Sequence, residues 1–284
     1  MLVFKRLTAL AVTIGALIAG LGTVWAGDGR PSDWQLSFQQ SATPVMDEIV
    51  KFHTGLLYTI VAVALFVLVL LLIVMVRFNA RANPTPSRTT HNTLLEVAWT
   101  GIPVVILLAI AIPSFKLLFL ELQVPAADLT VKATGKQWYW TYTYPEHGKF
   151  EFDSLMVRDS AKLRPDQPRL LGVDNEMVVP VNKNVRVVTT GAEVIHAFAV
   201  PSFGIKIDAI PGRVNETWFR ATREGIYYGQ CSELCGKDHA FMPIAVRVVS
   251  EQAFAAWVEE AKKKWASADS APTNFAAVEQ STAQ

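Results

Sequence analysis

The chain has 284 residues, 51% of them hydrophobic and only 18% charged, with a formal net charge of +1. That length allows one or two domains, and the composition is apolar for a soluble protein. So even a charge balance excludes nucleic acid as a partner, because binding it needs a strongly basic face.

In chain order, residues 1–26 read as a signal peptide: Lys5 and Arg6 precede an apolar run, and Val24-Trp25-Ala26 offers small residues for cleavage. A third membrane helix is the competing reading, weakened by Gly15, Gly20 and Gly22. Residues 27–50 then form an exported N-terminal arm. Gly55 to Val76 carries no charge and is long enough to cross a bilayer. A second uncharged run, Val97 to Phe115, contains Pro103 and Pro113, which a membrane helix with neighbours tolerates. The two spans, about 55–76 and 97–118, make a transmembrane hairpin over 51–122. Arg77, Arg81 and Arg88 lie between them, with no acidic residue before Glu96. Short Arg-rich loops face the cytoplasm, so both chain termini are expected on the outer side. Glu96 marks the inner end of the second span. An ionisable group at that depth is a functional candidate, though it can equally be an interfacial carboxylate.

From residue 127 to 250 the pattern changes to short alternating runs: Leu129–Ala133, Gln137–Tyr144, Val178–Val181, Val185–Thr190, Val214–Arg220 and Ile244–Val249. Pro145, Asn182-Lys183-Asn184 and Pro211-Gly212 punctuate them, which is the signature of an all-β sandwich or barrel. His147 falls in a turn-like stretch and is expected to be exposed. Residues 251–266 read as an amphipathic closing helix, and 267–284 as a polar, disordered tail.

Both cysteines stand in Gly229-Gln230-Cys231-Ser232-Glu233-Leu234-Cys235-Gly236-Lys237-Asp238-His239-Ala240-Phe241-Met242-Pro243. A disulfide is one reading, since an exported domain lives among oxidants. Zinc is another, although a methionine is a poor zinc ligand. A third is simple core packing of Met242 and His239. Against these stands the conjunction of two thiols, an imidazole and a thioether in one loop, a soft donor set that suits copper.

This loop resembles the dinuclear copper (CuA) loop of subunit II of haem-copper, aa3-type cytochrome c oxidases, in a bacterial form. The pattern C-S-E-x-C-G-x-x-H-x-x-M-P is matched at every defined position. The likeness extends to Gly135-Lys136-Gln137-Trp138-Tyr139-Trp140, to Val194-Ile195-His196-Ala197-Phe198-Ala199-Val200-Pro201 and to Lys206–Arg213. It implies a two-helix transmembrane hairpin followed by an all-β, cupredoxin-like Greek-key domain in the periplasm. It also implies two copper ions, bridged by Cys231 and Cys235, with His196 and His239 on one copper each. Met242 and the Glu233 carbonyl are the weak ligands. The Glu233 carboxylate would reach Mg²⁺ or Mn²⁺ shared with subunit I. Trp138 would be the entry point for electrons from cytochrome c, with Asp174, Glu193 and Asp208 in its docking surface. Glu96 would sit at the entrance of a proton path. The expected role is electron entry into an enzyme of the bacterial inner membrane that reduces O₂ to water and translocates protons. The expected partners are subunit I, with its haems and copper, the other oxidase subunits, cytochrome c and membrane lipid.

The chain has no Cys-x-x-Cys-His, so no haem c is expected on it, and with no copper or haem site in its membrane segments it is not expected to reduce O₂ alone. A quinol-oxidase second subunit would lack the copper ligands, and nitrous-oxide reductase would lack the hairpin. A membrane-tethered copper carrier is a rival of another class. One departure stands out: acidic and basic residues balance within 121–250, and Thr143 occupies a position where many relatives have a glutamate.

Overall fold

Helix α1, Pro44–Arg77, starts where its end groups are satisfied locally. Thr43 caps it by accepting from the Met46 N–H at 3.0 Å, and Pro44 needs no partner at the first turn. Helix α2, Thr93–Leu122, is capped in the same way by Asn92, which accepts from Leu95 N–H at 3.1 Å. These details come from a computed structural model that describes residues 29–265. The expected signal peptide at 1–26 and tail at 267–284 lie outside the described residues. Both helices are long and apolar enough to cross a membrane. At 34 residues, α1 is roughly 50 Å long, well beyond a ~30 Å hydrocarbon core. Pro103 and Pro113 lie inside α2 without ending it.

The surplus length of α1 reaches into the β domain. Val45 and Met46 are buried, and Thr43 Oγ1 donates to the Phe203 carbonyl at 2.7 Å. Ala42 N–H donates to Ser202 O, and Thr222 N–H donates to Ala42 O, both at 2.9 Å. At the end of α2, the Leu120 carbonyl accepts from the Trp218 indole at 3.3 Å. The arm is therefore stitched to the domain over residues 39–46, which its polar sequence alone did not suggest.

The domain has ten strands: β1 Leu129–Lys136, β2 Tyr139–Thr143, β3 Glu151–Ser154, β4 Met177–Pro180, β5 Val185–Gly191, β6 His196–Val200, β7 Ile205–Ala209, β8 Asn215–Phe219, β9 Gly225–Cys231 and β10 Pro243–Val249. They make two five-stranded sheets, ordered β3-β2-β1-β5-β8 and β4-β10-β9-β6-β7. Most neighbours are antiparallel, but β1 runs parallel to β5 and β4 parallel to β10. This is the cupredoxin-like sandwich expected from the sequence. Alternation sets the inner face: Leu129, Val131 and Ala133 of β1 point inward beside Val185 and Val187 of β5.

Three details depart from expectation. The run Gln137–Tyr144 does not start as strand; Gln137 and Trp138 form the turn of the β1–β2 hairpin, which closes on the pair Lys136↔Tyr139. His147 is half-buried, because helix α3, Glu251–Trp265, folds over its turn and brings Phe254 to 5.5 Å, edge to face. Strands β3, β7 and β9 were not foreseen as separate units. The outer face of β9–β10 is covered by the segment 155–175, whose Leu171 and Val173 pack with Tyr228 and Ala245. Glu176, buried beside them, is clasped between Arg164 and Arg247.

Candidate metal centre

Strand β9 ends on Cys231, and β10 starts on Pro243. The turn between them carries Glu233, Cys235, His239 and Met242. Strand β6 begins on His196 and pairs with β9 through Phe198↔Cys231, which sets the histidine beside the first cysteine. That pairing needs Gly229, since a Cβ there would fall 1.9 Å from the Ala199 carbonyl oxygen. Ser232 N–H donates to Ala197 O at 3.0 Å and continues the junction past the strand.

The donor atoms converge. Cys231 Sγ and Cys235 Sγ stand 3.8 Å apart as free thiols, not as a disulfide. Cys231 Sγ is 3.7 Å from His196 Nδ1 and 3.4 Å from the Glu233 carbonyl oxygen. Cys235 Sγ is 3.5 Å from His239 Nδ1 and 3.6 Å from Met242 Sδ. His196, Cys231, Cys235 and Met242 are buried, while His239 is half-exposed and Glu233 is open to solvent. Each imidazole thus turns Nδ1 towards a different sulfur, and each sulfur has one weak donor of its own. The arrangement is nearly symmetric about the sulfur pair.

Burial sets the electrostatics of this pocket. Burial, with the neighbouring Cys231, pushes the Cys235 thiol up to about 12. Burial likewise lowers the His196 imidazole below its usual range, against the pull of Glu193. Neutral thiols and neutral imidazoles cannot satisfy one another fully, and His196 Nε2 is buried with no hydrogen-bond partner. A metal ion reverses the thiol preference, because a coordinated thiol loses its proton. Two soft sulfurs, two imidazoles and a thioether fit copper.

The remaining candidates are dispersed. Trp138 is half-buried at the β1–β2 turn, and its indole N–H donates to the Cys235 carbonyl at 3.0 Å. Lys237 Nζ lies over its ring at 5.4 Å. Gly236, at φ 123°, lets the indole approach, since a Cβ there would meet Trp138 Cζ2 at 2.9 Å. Glu193 stands close by and accepts from the Gln137 N–H at 3.3 Å. Asp174 accepts from the N–H groups of Leu155 and Asn175, each at 2.7 Å, so it shapes the 155–175 segment. Asp208 is half-buried in β7. Glu96 lies in the first turn of α2, at the opposite end of the hairpin from the sulfur pair. Two residues at the centre escaped sequence reading. Gly135 backs directly onto the His196 ring, where a Cβ would come within 2.7 Å. Trp140, fully buried, donates its indole N–H to the Met242 carbonyl at 3.3 Å.

Known proteins carry the same sequence organisation. The family model described as cytochrome c oxidase subunit II, periplasmic domain, matches residues 129–249, and that of its transmembrane domain matches 31–117. A probable cytochrome c oxidase subunit 2 of Rickettsia bellii is 54% identical over 234 residues, covering 82% of this chain and 87% of the relative. The chain belongs to the cytochrome c oxidase subunit II family. The Cereibacter sphaeroides cytochrome c oxidase subunit 2 is 47% identical over 251 residues, covering 82% of each chain. Among solved structures, the periplasmic domain of subunit II of cytochrome oxidase of Bradyrhizobium japonicum aligns with a TM-score of 0.48 at 73% identity, over 50% of this chain and 99% of that one. As a family member the chain is a membrane protein and a subunit of an oxidase complex, and it carries a His/Cys group suited to copper.

Proposed function

We propose that this chain is the electron-entry subunit of a bacterial cytochrome c oxidase: it accepts electrons from cytochrome c and delivers them to haem a of subunit I. The observation that carries the reading is the near-symmetric donor set, in which each thiol faces the other, one imidazole Nδ1 and one weak donor within 3.8 Å. Two thiols between two imidazoles suit a pair of copper ions rather than one. When bound, such a pair shares one electron over two metals and two sulfurs, so transfer needs little change in bond lengths.

The protein's part is to hold the donors still and dry. His196 is fixed by β6, Cys231 by the end of β9, and both lie beneath the sandwich rim. Trp138 offers a partly exposed indole hydrogen-bonded to the residue of one thiol, a short route from the surface into the donor set. We assign to it the contact with cytochrome c, with Asp174, Glu193 and Asp208 as acidic docking residues. The exposed Glu233 carboxylate is free to bind Mg²⁺ or Mn²⁺ at the contact with subunit I, as its hard oxygens favour. Glu96, at the far end of α2, would serve the entrance of a proton path. In this reading residues 1–26 are removed on export. The hairpin crosses the inner membrane, and the β domain lies in the periplasm with both termini.

The test is kinetic. The oxidase complex purified through this chain should contain a haem-bearing subunit I. Stopped-flow mixing with reduced cytochrome c should reduce the copper pair before haem a. A chain that binds copper but isolates without haem, or that is not reduced by cytochrome c, would instead be a copper carrier.

A further inference from the structure

Trp138 lies in the β1–β2 turn and Trp140 two residues further on, inside β2. Both aim an indole N–H at the ligand turn. Trp138 reaches the Cys235 carbonyl at 3.0 Å and Trp140 the Met242 carbonyl at 3.3 Å. The two contacts bracket the stretch that contains His239. Their surroundings differ: Trp138 is half-buried, whereas Trp140 is sealed, with its ring 6.0 Å from the His196 ring and 5.4 Å from the Phe198 ring.

The ligand turn is anchored at its ends by β9 and β10, whose pairing begins at Pro243↔Gln230 beside Met242. Its own backbone bonds are His239 N–H to Gly236 O at 3.2 Å and Phe241 N–H to Asp238 O at 2.8 Å, both upstream of the methionine. Downstream, Pro243 has no N–H to give to the β9–β10 ladder. A thioether is a weak copper ligand, and its distance from the metal is set by the scaffold more than by bond strength. Beside the β9–β10 pairing, the buried Trp140 indole is the side-chain donor that holds the Met242 carbonyl.

We propose that Trp140 is a positioning residue for Met242: its indole hydrogen bond sets how closely the thioether approaches the metal centre and thereby tunes its reduction potential. The proposal rests on the copper reading given above. Loss of the bond lets Met242 Sδ retreat. A thioether lone pair stabilises the more Lewis-acidic oxidised metal, so its retreat raises the potential.

The test uses full-length chain in the assembled oxidase. Trp140→Phe keeps an aromatic ring and deletes the N–H. It should retain two coppers, while the ratio of reduced to oxidised centre at a fixed solution potential rises about fivefold to tenfold, the weight of one hydrogen bond. Tenfold corresponds to a rise of about 59 mV for a one-electron centre. In a Met242→Leu background the same change should have no further effect, because the thioether it acts through is gone. An unchanged potential in the native background overturns the proposal. So does an equal shift in both backgrounds, which would point to His196 instead. Should Trp140→Phe fold poorly, 3-benzothienylalanine at position 140 keeps the indole shape and lacks only the N–H. A metal-free readout separates this proposal from the copper reading. Hydrogen exchange of amides 236–242 in the copper-depleted full chain should accelerate about tenfold in the Trp140 variants, and unchanged exchange sinks the proposal even where copper binds normally.

Discussion

In the β domain, Val131, Phe198, Val200 and Ile244 are sealed from solvent, while in the hairpin Leu65, Phe66, Leu72 and Val105 lie about half exposed or more. The residue types are the same and their distribution is opposite. The β domain supplies its own apolar interior, so its donor atoms converge without help from a partner. The hairpin supplies length and apolar surface, and its side chains depend on lipid and on other subunits for cover. The candidate metal centre therefore belongs to the self-sufficient half of the molecule. The junction is specific on both sides, through Thr43 to Phe203 on α1 and Trp218 to Leu120 on α2.

Breaking the donor set should have the largest effect. Cys231→Ser or Cys235→Ser is expected to abolish the two-copper centre outright, measured by metal analysis and by the visible spectrum. A hydroxyl is too hard and too rarely ionised to bridge two soft metals. The hairpin should meanwhile insert normally, because nothing in it contacts either thiol.

Trp138→Ala comes next. Reduction by cytochrome c in stopped flow should slow by orders of magnitude, while copper content stays intact and affinity at matched salt weakens far less, since charges around a rim dominate encounter. Unchanged entry kinetics would return Trp138 to a purely structural role, as a clip on Cys235.

One substitution made in both halves sharpens the contrast. Phe198→Ala removes a fully buried ring and should destabilise the β domain by about 3–5 kcal/mol in thermal or denaturant unfolding. Phe66→Ala, at 63% exposure on α1, should leave the domain's unfolding and its copper unchanged.

The smallest effect concerns pH. Burial against α3 lowers the His147 imidazole below its usual range. Its folded form thus resists a proton that the unfolded chain accepts, so the domain should lose stability as pH falls through about 6.5. His147→Phe, keeping a ring against Phe254, should flatten that acid limb in unfolding curves, with little change above pH 7.

The hairpin and four of the six donors were legible in the sequence for the same reason: each is a local pattern. A charge-free run of sufficient length and a cluster of cysteines, histidine and methionine in one turn need no long-range information. His196 comes from a strand 35 residues before Cys231, and only the resemblance singled it out. The parallel pairing of β1 with β5, which aligns Gly135 beside Gly191, leaves no local trace at all. Trp138 and Trp140 were read as an alternating strand, but the turn falls between Lys136 and Tyr139, and the indole contacts with the ligand turn depend on the register of separate strands. The stitching of residues 39–46 to the domain was hidden for the same reason, since polar arms reveal their partners only after folding.

This chain alone is proposed to build a centre for two coppers around its sulfur pair. The most direct test is copper stoichiometry, by elemental analysis together with electron paramagnetic resonance, on the full-length chain purified in detergent and loaded with copper. Two coppers per chain are expected, with an unpaired electron whose hyperfine pattern is shared between two equivalent copper nuclei. One copper per chain, or a signal confined to a single nucleus, would contradict it.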